Sequence, residues 1–249
     1  MFSRKIILFI FSSIITLFVW SCGSSAEYTS AKMAIEKENW DEAEEYLFKA
    51  LEVEPDNAEV MVQIGYHVHA KKRQWTEMNK MFNQAIEIDP NAKVLGRPVT
   101  EITKNYRSMF WAENYNKAIR MYNESRRSQD KSTLQSATDM FKETLANDPV
   151  EAQTYSILAN CYYELGDKTN AVEYAKKAHE LIPNEFRSNY TLGQILALTG
   201  EKESAIIYIE KAVEIAPTEQ GAVKQLAGLY YETGLKEKSI ETFLSLIHI

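Results

Sequence analysis

Small and apolar residues recur at helical spacing along most of this 249-residue chain. Ala43, Leu47, Ala50 and Leu51 share one helix face, while acids such as Glu44 and Glu45 occupy the solvated one. That run starts at Trp40 and ends at Glu54-Pro55, because proline lacks an N–H and clashes with the preceding turn. The same pattern returns from Trp75 to Asp89-Pro90, Leu134 to Asp148-Pro149, Lys168 to Ile182-Pro183 and Lys202 to Ala216-Pro217. Pro149, Pro183 and Pro217 stand 34 residues apart, and Pro55 and Pro90 stand 35 apart. Ahead of each run, and ahead of the last helix, lies another helical pattern centred on a small residue: Ala31, Gly65, Ala118, Ala159, Gly193 or Ala227. The spacing predicts pairs of helices repeated along the chain.

The later units carry the most detail. The fourth reads Tyr155, Leu158, Ala159, Tyr162, a Gly166-Asp167 turn, then Ala171, Ala178 and Pro183. The fifth has Leu192, Gly193, Leu196, Gly200, Ala205 and Ala212, and the sixth Leu226, Ala227, Tyr230, Gly234 and Phe243. These residues resemble the tetratricopeptide repeat, in which small residues sit where two helices approach closely. The resemblance implies an all-α, right-handed superhelical solenoid of about six helix–turn–helix units over residues 26–249. Units 1–2 take residues 28–91 and units 3–6 residues 111–249. The last unit stops at Ile249, before its proline position, and reads as truncated.

Two irregularities stand out. The second unit has one extra residue, expected in its turn. Pro90 to Pro149 spans 59 residues, 25 more than a period. With Ala118 as the small residue, 18 of these precede the first helix and 7 extend the turn near Arg126–Lys131. The resulting insertion, 92–110, contains Gly96-Arg97-Pro98, a loop followed by a helix start. No proline or glycine follows until beyond Asn123, so one long first helix is expected. This break in the stack is the expected hinge.

The chain begins differently. Arg4 and Lys5 precede fifteen mostly apolar residues, Ile6 to Trp20, which suits a secretory signal and falls short of the ~20 that span a membrane. Val19-Trp20-Ser21-Cys22, followed by Gly23-Ser24-Ser25, resembles a bacterial lipobox, with Trp20 as its departure from the usual pattern. The resemblance implies a signal peptide at 1–21, lipidation of Cys22 and a tether at 22–27. Acyl chains contribute ~0.8 kcal/mol per buried CH₂, enough for a lasting membrane anchor when two or more are present. Cys161 would then be the only thiol and a packing residue.

Charge narrows the partners. Lys+Arg number 28 against 35 Asp+Glu, a net −7 that argues against nucleic acid. Without residues 1–21 the net charge is −9. Chemistry is sparse. His67 and His69 are two apart and so face different sides of a helix, and no phosphate loop, nucleophile elbow or cysteine-pair motif occurs. No metal, cofactor or catalytic residue is expected, and the chain does not read as an enzyme.

Tetratricopeptide arrays bind along the groove lined by first helices. In each unit the residues three before, one after and four after the small residue should face it. Seven of the eighteen are tyrosine, namely Tyr28, Tyr66, Tyr115, Tyr122, Tyr163, Tyr190 and Tyr231, and none is acidic. Asn160, Gln194 and Lys224 add polar contacts, and Lys32 and Lys224 lie at the two ends. Tyrosine offers rigid area and a hydroxyl, so this face suits a protein or peptide ligand, neutral or acidic. The clamp by which some family members hold a C-terminal carboxylate is not matched. Asn160 fits it, but Ser156, Thr191, Gly221 and Gln225 fill its other places. The expected function is a membrane-anchored, periplasm-facing interaction scaffold of the cell envelope, at the outer membrane. The alternatives are an assembly factor or pilotin-like lipoprotein for outer-membrane or pilus machinery, and a cell-wall hydrolase.

Overall fold

The computed structural model describes residues 24–245, so Cys22 and the expected signal segment 1–21 lie outside the described residues. The fold is all-α, a series of helix pairs interrupted by one short hairpin. Two compact units divide at Pro55 and Asp56.

The first unit holds α1 (Ala26–Glu36) and α2 (Trp40–Val53). Ser25 opens α1 by accepting the Tyr28 N–H at 3.1 Å, satisfying one of the amides a helix start leaves free. Tyr28, Ala31 and Ala34 on α1 and Ala43, Leu47 and Ala50 on α2 are buried.

The second unit starts with α3 (Ala58–Ile64), capped by Asn57, which accepts the N–H groups of Glu59 and Val60. α4 (Trp75–Ile88) comes next, then a hairpin of β1 (Lys93–Val94) and β2 (Arg97–Pro98). Helix pairs α5 (Val99–Ser128) with α6 (Lys131–Asn147), α7 (Ala152–Leu165) with α8 (Lys168–Leu181), α9 (Phe186–Thr199) with α10 (Lys202–Ile215), and α11 (Gln220–Glu232) with α12 (Lys236–Ser245) complete it. Helices α2, α4, α6, α8 and α10 each end two residues before their proline. Successive pairs share a core: Leu192, Ile195 and Leu196 of α9 pack with Ile206 and Ile209 of α10 and with Leu226 and Leu229 of α11.

A left-handed residue ends every first helix. These are Glu38 (φ 56°), Arg73 (φ 56°), Gln129 (φ 54°), Gly166 (φ 92°), Gly200 (φ 104°) and Gly234 (φ 84°). One residue separates each from the next helix, so the left-handed residue stands two positions before the second helix in all six pairs.

That constancy relocates both irregularities. The extra residue of the second unit is not in its turn. It lies in a π-helical turn, Gly65–Ala70, that continues α3, so Arg73 stands eight residues after Gly65 where Gly166 stands seven after Ala159. The seven extra residues of the third unit do not lengthen its turn either. α5 runs ten residues past Ala118 where α7 runs six past Ala159, and α6 starts 18 before Pro149 where α8 starts 15 before Pro183. About one added helical turn on each side absorbs them.

The expected hinge is instead bonded on several sides. Tyr106 of α5 stacks on Tyr66 at 4.1 Å, with Phe110 5.4 Å from Trp75. Arg107 donates from Nε to Asn79 Oδ1 at 2.6 Å and from Nη2 to Asn83 Oδ1 at 2.8 Å. Arg73 reaches Asn114 Oδ1 at 3.2 Å and Glu143 at 2.6 Å. The inserted half of α5 is thus part of the packed stack, as the single long helix required.

Candidate functional site

In the second compact unit, α3 with its π-helical turn, α5, α7, α9 and α11 are the first helices, and their small residues set which face is inward. Ala118, Ala159 and Ala227 are fully buried. A Cβ added to Gly193 would lie 2.7 Å from Ile209, and one on Gly65 2.5 Å from Phe82, so both glycines are needed for close approach to the paired helix. The opposite face of each first helix is the candidate site.

The predicted tyrosines separate into two groups. Tyr28, in the first compact unit, is fully buried, with Lys32 Nζ 4.5 Å from its ring centre. Tyr115 and Tyr122 are also buried. Both meet the Phe141 ring edge-on, and Tyr115 stacks on Trp111 at 4.8 Å. These three are corrections to the sequence reading: they are core residues with little surface to offer a partner. The reason at Tyr122 is its neighbour, because α7 lies beside it and Glu164 accepts its hydroxyl at 2.7 Å. Burial and that carboxylate raise the Tyr122 pKa. Tyr66 is half-buried under Tyr106 of the insertion.

The second group remains accessible. Asn160 and Tyr163 on α7 and Tyr190 and Gln194 on α9 are half-buried, Lys224 on α11 is exposed, and Tyr231 is 65 % exposed. Tyr190 lies flat on Phe186, ring centres 5.4 Å apart and planes 11° apart, and its burial raises its pKa. Its hydroxyl reaches toward α11, 3.9 Å from where a Cβ on Gly221 would stand. The Tyr190 hydroxyl thus brings the first turn of α9 next to that of α11. Burial raises the Tyr115 pKa, while Gln153 of α7 and Arg187 of α9 pull it back down.

Gln153 and Arg187 were missed by the sequence reading. Its three positions per helix began one turn too late, although both lie three residues before a position it did use, hence on the same face. Among the described residues no cluster of three or more His, Cys, Asp or Glu forms a metal-binding group.

The repeat that organises this face is a known one. Tetratricopeptide repeat profiles match residues 152–185 and 186–219. Residues 152–219 are two tetratricopeptide repeats. Each begins at the start of a first helix, α7 or α9, and ends two residues beyond the proline that closes its pair. Solved structures similar to the chain include the MamA protein, 17 % identical over 89 % of this chain and 88 % of that one, with a TM-score of 0.43. Another is YrrB, described as a TPR protein with an unusual peptide-binding site, 18 % identical over 81 % of this chain and 91 % of that one, at 0.43. The first TPR of Spaghetti (RPAP3), bound to an HSP90 peptide, is 17 % identical over 48 % of this chain and 94 % of that one, at 0.41. No curated protein matches the chain.

Proposed function

We propose that this protein is an envelope-anchored interaction module that holds a partner peptide along the first-helix face of α7, α9 and α11. The observation that carries this reading is the split among the predicted residues. Where a first helix is covered by the next, its tyrosines are consumed by packing. Across α7, α9 and α11, Asn160, Tyr163, Tyr190, Gln194, Lys224 and Tyr231 keep accessible surface and alternate aromatic area with hydrogen-bonding groups. Such a surface recognises a polypeptide, since aromatic anchors supply contact area and the amides pair with backbone groups that would otherwise be desolvated. The tetratricopeptide repeats at 152–219 support the same assignment.

Anchoring rests on the Cys22 motif. In this reading residues 1–21 direct export, Cys22 carries the lipid, and the repeats work in the periplasm at the outer membrane. Machinery whose subunits must be gathered there, such as outer-membrane or pilus assembly, is the partner class that suits an anchored, non-catalytic scaffold.

The test is site-specific photo-crosslinking in intact cells. A photoreactive residue at Gln194 or Tyr231 should yield a discrete partner adduct, while one at Glu173 on α8, a second helix, should not. Adducts from Glu173 alone would place the binding surface elsewhere. For the anchor, radiolabelled palmitate should enter the parent chain and not Cys22→Ser; equal labelling would refute lipidation.

A further inference from the structure

The accessible face is not uniform in charge, and its first turns carry two cations with no acid to meet them. Arg187 on α9 and Lys224 on α11 are exposed, and among the described residues neither has an ion-pair partner. Both flank Tyr190. Arg187 is three residues before it on the same helix face, and Lys224 is one turn along α11 from Gly221, the residue that the Tyr190 hydroxyl approaches. Gln153, exposed on α7, continues the strip, so the line bears two positive charges and hydrogen-bonding groups but no carboxylate.

The acids that begin these helices sit at cap positions. Glu185 caps α9, accepting the Ser188 N–H at 2.9 Å. Glu151 and Glu219 hold the equivalent cap positions of α7 and α11. Each lies two residues before Gln153 or Gly221, roughly 200° around the helix. At the far end of the face, Glu164 accepts the Tyr122 hydroxyl and lies 3.8 Å from Arg126 Nε, and Glu232 pairs with Lys202 at 3.1 Å. In a protein with a net charge of −7, an unpaired Arg–Lys couple beside a stacked tyrosine is a local reversal of sign.

We infer that Arg187 and Lys224, with the Tyr190 hydroxyl between them, recognise an aspartate or glutamate side chain in an extended segment of a partner protein. This rests on the reading of the α7–α9–α11 face as the binding surface and adds what that surface selects. A side-chain carboxylate is the fitting group because it accepts from guanidinium, ammonium and phenol together, and charge-assisted bonds are about twice as strong as neutral ones. A C-terminal carboxylate is not favoured, since Ser156, Thr191, Gly221 and Gln225 replace the groups that would clamp one.

The experiment uses the full chain in detergent and random dodecapeptides displayed on phage. Selected peptides are resynthesised with amidated C-termini and measured by fluorescence polarisation. Enrichment of Asp or Glu is expected at a defined position, with affinity falling roughly tenfold or more when that residue becomes Asn or Gln. In Arg187→Gln and Lys224→Gln together, acid and amide peptides should bind alike, at the parent's level for the amide peptide. Selected peptides without a required acid, discrimination that survives the double variant, or loss of binding on amidation would each overturn the inference. Gln194→Ala with Tyr231→Ala separates the two levels. Peptides whose binding ignores that variant, or a failure to select any, overturn the groove reading itself; peptides that need Gln194 and Tyr231 but no acid overturn only the charge assignment.

Discussion

Tyr122 of α5 donates its hydroxyl to Glu164 of α7 across 2.7 Å, and that bond marks where the binding face stops and the core begins. Tyr231 holds the same position on α11 and meets solvent. Tyr122→Ala should therefore cost about 3–5 kcal/mol through the cavity it leaves against Phe141. Tyr122→Phe should cost about 1 kcal/mol through the lost hydrogen bond. Tyr231→Ala should stay within about 0.5 kcal/mol of the parent. Urea denaturation followed by circular dichroism gives all three, and equal losses at Tyr122 and Tyr231 would contradict the difference in burial.

The left-handed residues that end the first helices give a second expectation. Glu38 and Gln129 occupy a conformation that disfavours a side chain by about 1–2 kcal/mol, where three later units have glycine. Glu38→Gly and Gln129→Gly should each raise stability by up to about 1 kcal/mol, since added chain entropy offsets part of the relief. Gly200→Val should lower it. Arg73→Gly should gain little or lose, because it also removes the bonds to Asn114 and Glu143. A thermal-melt series that put Arg73→Gly above Gln129→Gly would reverse this ranking.

Glycines within first helices divide by what a methyl would meet. Gly193→Ala drives a Cβ into Ile209 and should destabilise by about 1–3 kcal/mol. Gly228→Ala meets nothing within 4 Å and should stabilise by up to about 1 kcal/mol through helix propensity. Chemical denaturation of the two variants decides it, and destabilisation by Gly228→Ala would mean that α11 is packed on that side.

Cys161 is fully buried, and burial pushes its thiol pKa up to about 12. At pH 8 almost none is thiolate, and the thiolate is the reactive form. Iodoacetamide at pH 8 should leave Cys161 unmodified in the native chain and label it in denaturant, as read by peptide mass mapping. Ready labelling of the folded protein would show that the α6–α7 contact opens freely.

Much of the fold could be read from prolines and small residues, because both act through local sterics that any copy of the repeat must satisfy. Counting residues between prolines revealed how many were extra but not where they went, since a count is blind to whether a helix lengthens or a turn does. The invariant is the left-handed residue two positions before each second helix, and only the structure shows Arg73 and Gln129 in the backbone state of Gly166. The site was legible in part for a similar reason. A three-position template places a residue on a face, but whether that face stays open depends on the neighbouring helix. That neighbour closes over Tyr115 and Tyr122 and leaves Asn160, Gln194 and Lys224 accessible. Arg187 escaped because the template omitted the first turn, where an unpaired cation in an acidic chain was the available signal.

The π-helical turn at Gly65–Ala70 bears on how this chain can change length. An extra residue in an α-helix rotates everything after it by about 100°, which would swing Arg73 and α4 away from their partners. Widening one turn cancels that rotation within six residues, and Trp75 still enters α4 two residues after the left-handed Arg73. Removing a single residue from that stretch would restore a uniform α-helix and a 34-residue interval without displacing α4. The stack tolerates growth by one residue here, and by one added turn on either side of Gln129, because both keep the left-handed residue two positions before the second helix.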